Sequence, residues 1–155
     1  SGNQQPWKFL VVQERNRIDD LKEFCIKKSI ERYTAERKPS KTDLESRIER
    51  ITQYYDNYLS APVYVVILTD NNSEYQDYNH WDGPLAAANL MLAARALGYG
   101  TVFCTDSINE AITKEFFNIP DQYTRVCITP IGVPYNWPEA PDKKALENLI
   151  VLETF

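Results

Sequence analysis

The sequence predicts an α+β protein, with a mixed or antiparallel central sheet flanked by helices. Three observations carry that prediction. Apolar, β-branched runs of strand length at residues 7–12, 63–68 and 124–131 alternate with segments of helical period. The connections between them are uneven, unlike a regular βαβ repeat. One segment, 85–97, is apolar nearly all round, the pattern of a helix covered on every side. In a chain this short, a second subunit is expected to supply part of that cover.

Residues 7–12 form the first strand. A helix follows over 17–29, with Ile18, Leu21, Phe24 and Cys25 on one face. The stretch 31–41 is charged, is punctuated by Pro39 and Ser40, and reads as a loop. Thr42-Asp43-Leu44-Glu45 has the form of a capping box. It opens a helix with Leu44, Ile48, Ile51, Tyr55 and Leu59 at helical spacing. Ala61-Pro62 ends that helix, and 63–68 reads as a buried strand. Residues 70–80 are polar and without period, as in a mobile loop. Asp82-Gly83-Pro84 starts the apolar helix, with proline near its first turn and Gly98 as its C-cap. A short strand at 101–105 precedes a second capping box, Ser107-Ile108-Asn109-Glu110. The helix behind it carries Ile112, Phe116 and Phe117 and closes at Ile119-Pro120. The strand 124–131 ends at Gly132. The tail 134–141 is proline-rich, and the apolar run 146–152 reads as a strand or an arm.

The chain has 155 residues and a mass of 18.0 kDa, and we read 1–155 as a single domain. Such a length buries roughly 68–70% of the unfolded surface. A net charge of −5 and a pI of 4.9 argue against nucleic acid or an anionic membrane as the main partner. No apolar run is long enough to span a bilayer. Cys25, Cys104 and Cys127 are widely and irregularly spaced, and His80 is the only histidine. That pattern is neither a disulfide framework nor a metal site, and it fits a reducing cytoplasm.

Nucleophile elbow, P-loop, zinc-helix and dinucleotide-fold motifs are absent. A Ser-His-Asp triad would have to use His80, in a polar loop without an elbow serine. So few acids, bases and nucleophiles point to a cofactor that carries the reaction while the protein binds and tunes it. The opening segment, Ser1-Gly2-Asn3-Gln4-Gln5-Pro6-Trp7, offers hydroxyl and amide groups that both donate and accept hydrogen bonds. Gly2 lets the backbone approach a ligand closely. Such a loop suits a planar heterocycle. Equally, it reads as a polar turn before an edge strand whose ladder stops at Pro6.

This segment closely resembles the Ser-x-Asn-x-Gln-Pro-Trp stretch of the FMN-dependent nitroreductase family. Other pieces follow in matching order. Ala61-Pro62 before the 63–68 strand, and Leu92-Ala93-Ala94-Arg95-Ala96-Leu97-Gly98-Tyr99-Gly100-Thr101, are similar to the family's second strand and central helix. Ile119-Pro120 and the run into Pro130-Ile131-Gly132-Val133-Pro134 resemble its Gly-x-Pro turn. Pro141-Asp142-Lys143-Lys144-Ala145-Leu146-Glu147 resembles its basic C-terminal motif, which normally carries an arginine.

The resemblance implies a homodimer with the central helix in the interface. It implies FMN as cofactor and NAD(P)H as co-substrate, in a ping-pong reduction of a small-molecule acceptor such as a nitroaromatic or quinone. Ser1, Gly2, Asn3 and Gln5 match the loop held against the flavin from the partner subunit. Thr105 and Asp106 match the loop whose backbone N–H lies near flavin N5. Lys143, assisted by Lys144, matches the contact to the FMN phosphate. Read without the resemblance, these are two solvated lysines, and Thr105-Asp106 is a strand end and turn. The family's N-terminal Arg-rich segment is absent, which implies a fragment, or numbering from the first ordered residue. The family often has glycine near Asp106. A carboxylate there would lower the flavin potential, or else it would face solvent and cap the next helix. The irregular stretches 33–42 and 75–81, with Tyr78 and Trp81, are the expected substrate-facing parts. Other flavin chemistry on the same fold, such as reductive dehalogenation or dehydrogenation, and a flavin-binding module without turnover are the alternatives.

Overall fold

The computed structural model describes residues 2–154; Ser1 lies outside them. In chain order the elements are β1 Trp7–Val12, α1 Arg15–Arg37, α2 Lys41–Tyr58, β2 Val63–Asp70, α3 Asn79–Ala96, β3 Gly100–Thr101, α4 Glu110–Phe117 and β4 Tyr123–Gly132. Short 3-10 turns occur at Gln76–Tyr78 and Leu146–Asn148. The four strands form one sheet of order β1-β2-β4-β3. Each pairing is antiparallel, which resolves the mixed-or-antiparallel expectation.

Alternation along β2 builds two cores, because successive side chains point to opposite faces. Tyr64, Val66 and Leu68 face α1, α2 and the α4 region, packing with Ile18, Leu21, Cys25, Ile51, Tyr55 and Ile108. Val65 and Ile67 face α3, packing with Ala87 and Cys127. The sheet is therefore the middle layer between three helices and one. A register shift between Ile67 and Leu68 pairs Ile67 with Cys127 and Leu68 with Arg125, leaving Val126 as the extra residue of a bulge.

Several boundaries differ from the sequence reading. Helix α1 continues to Arg37 through the stretch read as a loop. Its charges form an exposed helical face, with Arg32 and Glu36 paired at 3.3 Å. Lys38 ends it in the left-handed conformation, φ 44°, donating its N–H to Thr34 O at 3.2 Å. The cap of α2 is Ser40, whose Oγ accepts from Asp43 N at 3.3 Å, two residues before the expected box. Helix α3 starts at Asn79, so Pro84 lies inside it. The cap of α4 is Asn109, accepting from Ala111 N at 2.8 Å, where Ser107 was expected. The strand read at 101–105 shrinks to Gly100–Thr101 plus a single Cys104–Ile128 bridge. The 146–152 run holds only the 3-10 turn, and the residues from Tyr135 to Thr154 are exposed.

Helix α3 buries one stripe, Asn79, Asp82, Gly83, Ala87 and Ala94. Its other face carries Leu85, 61% exposed, and Leu92, 70% exposed. The cover expected on every side is thus present on one side within this chain.

Burial pushes the Cys25 thiol up to about 12 and the Cys127 thiol up to about 11. Both folded values lie above the ordinary 9.0, so the folded chain keeps protons that the unfolded chain releases. The stability this gives is fully present below about pH 8.5 and is lost as pH rises towards the folded values, at up to about 1.4 kcal/mol per pH unit per thiol. Urea midpoints should be level from pH 7 to 8 and fall steadily by pH 10. A midpoint unchanged at pH 10 would contradict the burial of these thiols.

Candidate functional site

Of the residues singled out by sequence, Asn3 and Gln5 line one cavity and Asp106 lines a second, separate one. The first, about 550 Å³, lies between β1 and α3. Trp7, Phe9, Leu85 and Leu90 give it an apolar and aromatic wall, and Asn3, Gln5 and Asn89 give it polar groups. Gly2, Asn3 and Gln5 have φ of 56°, 57° and 50°. This left-handed conformation is costly for a residue such as glutamine, so neighbouring groups must enforce it. A Cβ at Gly2 would meet the Tyr75 ring at 2.7 Å, which requires glycine there. Gln5 Nε2 donates to Asn3 Oδ1 at 3.1 Å.

Gln4, which sequence reading passed over, enforces the loop. Its Nε2 lies within donating distance of Asp82 Oδ2 at 2.9 Å, Tyr75 O at 3.1 Å and Asn79 Oδ1 at 3.4 Å. Its Oε1 accepts from Tyr75 N at 2.8 Å. One amide thereby ties the motif to the start of α3. Gln4→Ala should cost about 1–3 kcal/mol, the usual penalty for partly buried polar groups left short of a partner. Gln4→Glu should cost more at pH 7, since it sets a second carboxylate against Asp82. Thermal melts of the two variants decide this; Gln4→Glu as stable as wild type would contradict it.

The second cavity, about 650 Å³, lies between α1, α2 and the segment before α4, and Asp106 and Ser107 line it. Thr105 Oγ1 donates to Asp106 Oδ2 at 3.2 Å. Asp106 is exposed and does not cap α4. Arg125 on β4 sets the shape of this loop. Its guanidinium donates to Thr105 O and, at 2.6 Å, to Ile108 O. Its backbone N–H donates to Glu110 Oε1 at 3.0 Å. An arginine within a strand gave no sequence signal for this role, since the partners are carbonyls brought close only by folding.

Lys143 and Lys144 are exposed in the tail and line neither cavity. Tyr78 and Trp81 are exposed with ring centroids 5.5 Å apart, and they also line neither. Tyr33, from the other stretch expected to face substrate, lines the second cavity. Among the described residues no group of three or more His, Cys, Asp or Glu could hold a metal ion. Among the described residues no helix is long and apolar enough to cross a membrane.

An antiparallel sheet between one helix and three, with a Ser-x-Asn-x-Gln-Pro-Trp-type loop at its first strand, defines the class. The chain belongs to the nitroreductase family, whose pattern matches residues 1–133. It is similar to an iodotyrosine deiodinase of Thermotoga neapolitana, 25% identical over 150 residues, covering 97% of this chain and 75% of that protein. A protein of Archaeoglobus fulgidus with the provisional name NADH dehydrogenase/NAD(P)H nitroreductase is 27% identical over 139 residues, covering 86% of this chain and 64% of that one. Among solved structures, oxidized iodotyrosine deiodinase bound to FMN and 3-iodo-L-tyrosine has a TM-score of 0.70 at 22% identity, covering 100% of this chain and 80% of that one. That likeness establishes the shared fold.

Proposed function

We propose that this protein is an FMN-dependent oxidoreductase that works as a homodimer and passes electrons from NAD(P)H to a nitroaromatic, quinone or similar acceptor. The observation that carries this reading is the Gly2–Gln5 loop, left-handed at Gly2, Asn3 and Gln5, whose Asn3 and Gln5 line an aromatic-walled cavity. Asn3 and Gln5 offer amide donors and acceptors beside Trp7 and Phe9, a set that fits the polar edge of a flat heterocycle. No cation lines that cavity among the described residues, so the FMN phosphate needs charge from elsewhere, for which Lys143 and Lys144 are our candidates. FMN, when bound, supplies the hydride chemistry. The protein's part is to hold the ring edge through Asn3 and Gln5 and to present the 105–106 backbone, shaped by Arg125, where charge gathers on reduction.

Dimerisation is part of the proposal. Asn3 and Gln5 line one cavity and Asp106 the other, so one chain does not bring the two groups together. The apolar outer face of α3 supports a second copy packed there. Three free cysteines, two of them buried, support a reducing cytoplasmic setting.

The similarity to an iodotyrosine deiodinase over 97% of the chain favours a second reading, reductive dehalogenation. There a carbon–halogen bond is replaced by carbon–hydrogen with two electrons and one proton, releasing halide. The test is an anaerobic visible spectrum of the FMN-supplemented protein before and after NADH or NADPH. Bleaching of the flavin band near ~450 nm supports turnover; bound flavin that neither nucleotide bleaches leaves a binding module. Offering nitrobenzene or 3-iodo-L-tyrosine to the reduced protein then separates the two reactions.

A further inference from the structure

The second cavity has a charge that the proposed function does not require. The protein as a whole is acidic, with net charge −5. Yet Lys28, Arg32, Arg37, Arg47 and Arg50 line this one cavity, against only Glu36 and Asp106. Two of the five are engaged: Lys28 with Glu115 at 2.6 Å, and Arg32 with Glu36 at 3.3 Å. Arg37, Arg47 and Arg50 form no ion pair among the described residues. Three guanidinium groups are thus left facing a concave wall with unspent charge.

The same wall carries flat apolar surface. The Arg47 guanidinium lies 5.2 Å from the centroid of the Tyr33 ring. Tyr54 stacks on Tyr58 at 6.1 Å and 10°, and its hydroxyl donates to Ser107 O at 3.3 Å. That bond ties the ring to the loop whose next residue back is Asp106. Guanidinium forks match planar anions such as carboxylate in a way that ammonium groups do not. Tyrosine faces match aromatic rings.

We infer that this cavity selects aromatic ligands bearing a carboxylate, with Arg37, Arg47 and Arg50 taking the anion and Tyr33 and Tyr54 taking the ring. As a statement about the electron acceptor, this rests on the proposed function; as a binding site, it stands without it. A carboxylate carried on a ring matches this wall, because the charged and flat surfaces are adjacent. A flavin or nucleotide phosphate is the competing anion.

The test is calorimetric titration of the full-length protein with 4-nitrobenzoate, nitrobenzene and inorganic phosphate, with and without FMN. Wild type should bind 4-nitrobenzoate about tenfold more tightly than nitrobenzene, the size of a charge-assisted hydrogen bond. The doubly substituted Arg47→Gln/Arg50→Gln protein should lose that preference while keeping its nitrobenzene and FMN affinities. Both side chains are exposed, so the fold should survive, which circular dichroism checks. Equal binding of the two ligands by wild type would overturn the inference. So would a double variant that loses FMN affinity but keeps the carboxylate preference, since the anion would then be the flavin phosphate. A preference that persists in a protein whose flavin NAD(P)H never bleaches would leave this site standing and remove the oxidoreductase reading.

Discussion

Leu92→Asp should convert the proposed dimer to an 18.0 kDa monomer and strip it of flavin. Leu92 is among the most exposed large apolar side chains on α3, while Ala87 and Ala94 of the same helix are buried against the sheet. The substitution therefore spares the protomer's own core. In a two-fold interface each contact occurs twice. Removing a buried leucine forfeits about 1.5–3 kcal/mol per copy, and an unpaired carboxylate in its place costs several more. Sedimentation velocity reads the mass, and flavin fluorescence after gel filtration reads the cofactor. Retention of the dimer would sink the α3 interface, and a wild type already monomeric would sink the dimer proposal itself; either result leaves the fold intact.

Gly83→Val should lower stability by about 2–3 kcal/mol, at the upper end of the usual cost of overpacking. A Cβ at Gly83 would lie 2.5 Å from Val126 Cγ2 and 2.8 Å from Thr69 Cγ2. Both neighbours are β-branched and stiff at χ1, so neither swings aside cheaply. Val126 is the extra residue of the β2–β4 bulge. Helix α3 rests on that bulge through a position where any side chain is in the way. The gain in helix propensity over glycine, under about 1 kcal/mol, does not offset the clash. At 2–4 °C per kcal/mol for a chain of this size, Tm should fall by about 5–10 °C. Because Asp82 adjoins Gly83 and accepts from Gln4, the shift in α3 should also weaken FMN binding. A melt within a degree of wild type would mean that α3 sits further from the sheet than described.

The parts of the fold that could be read from sequence are those set by local pattern. The β2 run is uninterruptedly apolar, and the α2 spacing of Ile51, Tyr55 and Leu59 marks the buried face that folding produces. The extension of α1 was hidden because a solvated helical face and a charged loop share a composition. The caps slipped because Ser40 and Asn109 compete with Thr42 and Ser107, and only the geometry of the preceding turn chooses between them. The opening motif stood out in the sequence as a family resemblance, but its fixing residue, Gln4, did not, since its partners lie on and before a distant helix. The arginine cluster was invisible for a different reason. Each arginine alone is an ordinary exposed residue, and only the packing of α1 against α2 makes them one surface.

The strand order carries a consequence for how the chain reaches this state. In no ladder are the two strands joined by a tight turn. β1 meets β2 only across the whole of α1 and α2, and β2 meets β4 across α3, β3 and α4. Closing such loops costs entropy before any strand pair forms, and chains rich in distant contacts fold slowly. The α1–α2 pair can form early from local contacts. On the ribosome, β2 emerges long before β4, and one of its edges stays open until Tyr123–Gly132 is made. During that interval a run of six apolar residues, Val63 to Leu68, lies half-paired, the kind of segment that seeds aggregation. The strand on which both cores depend is the one that waits longest for its second neighbour.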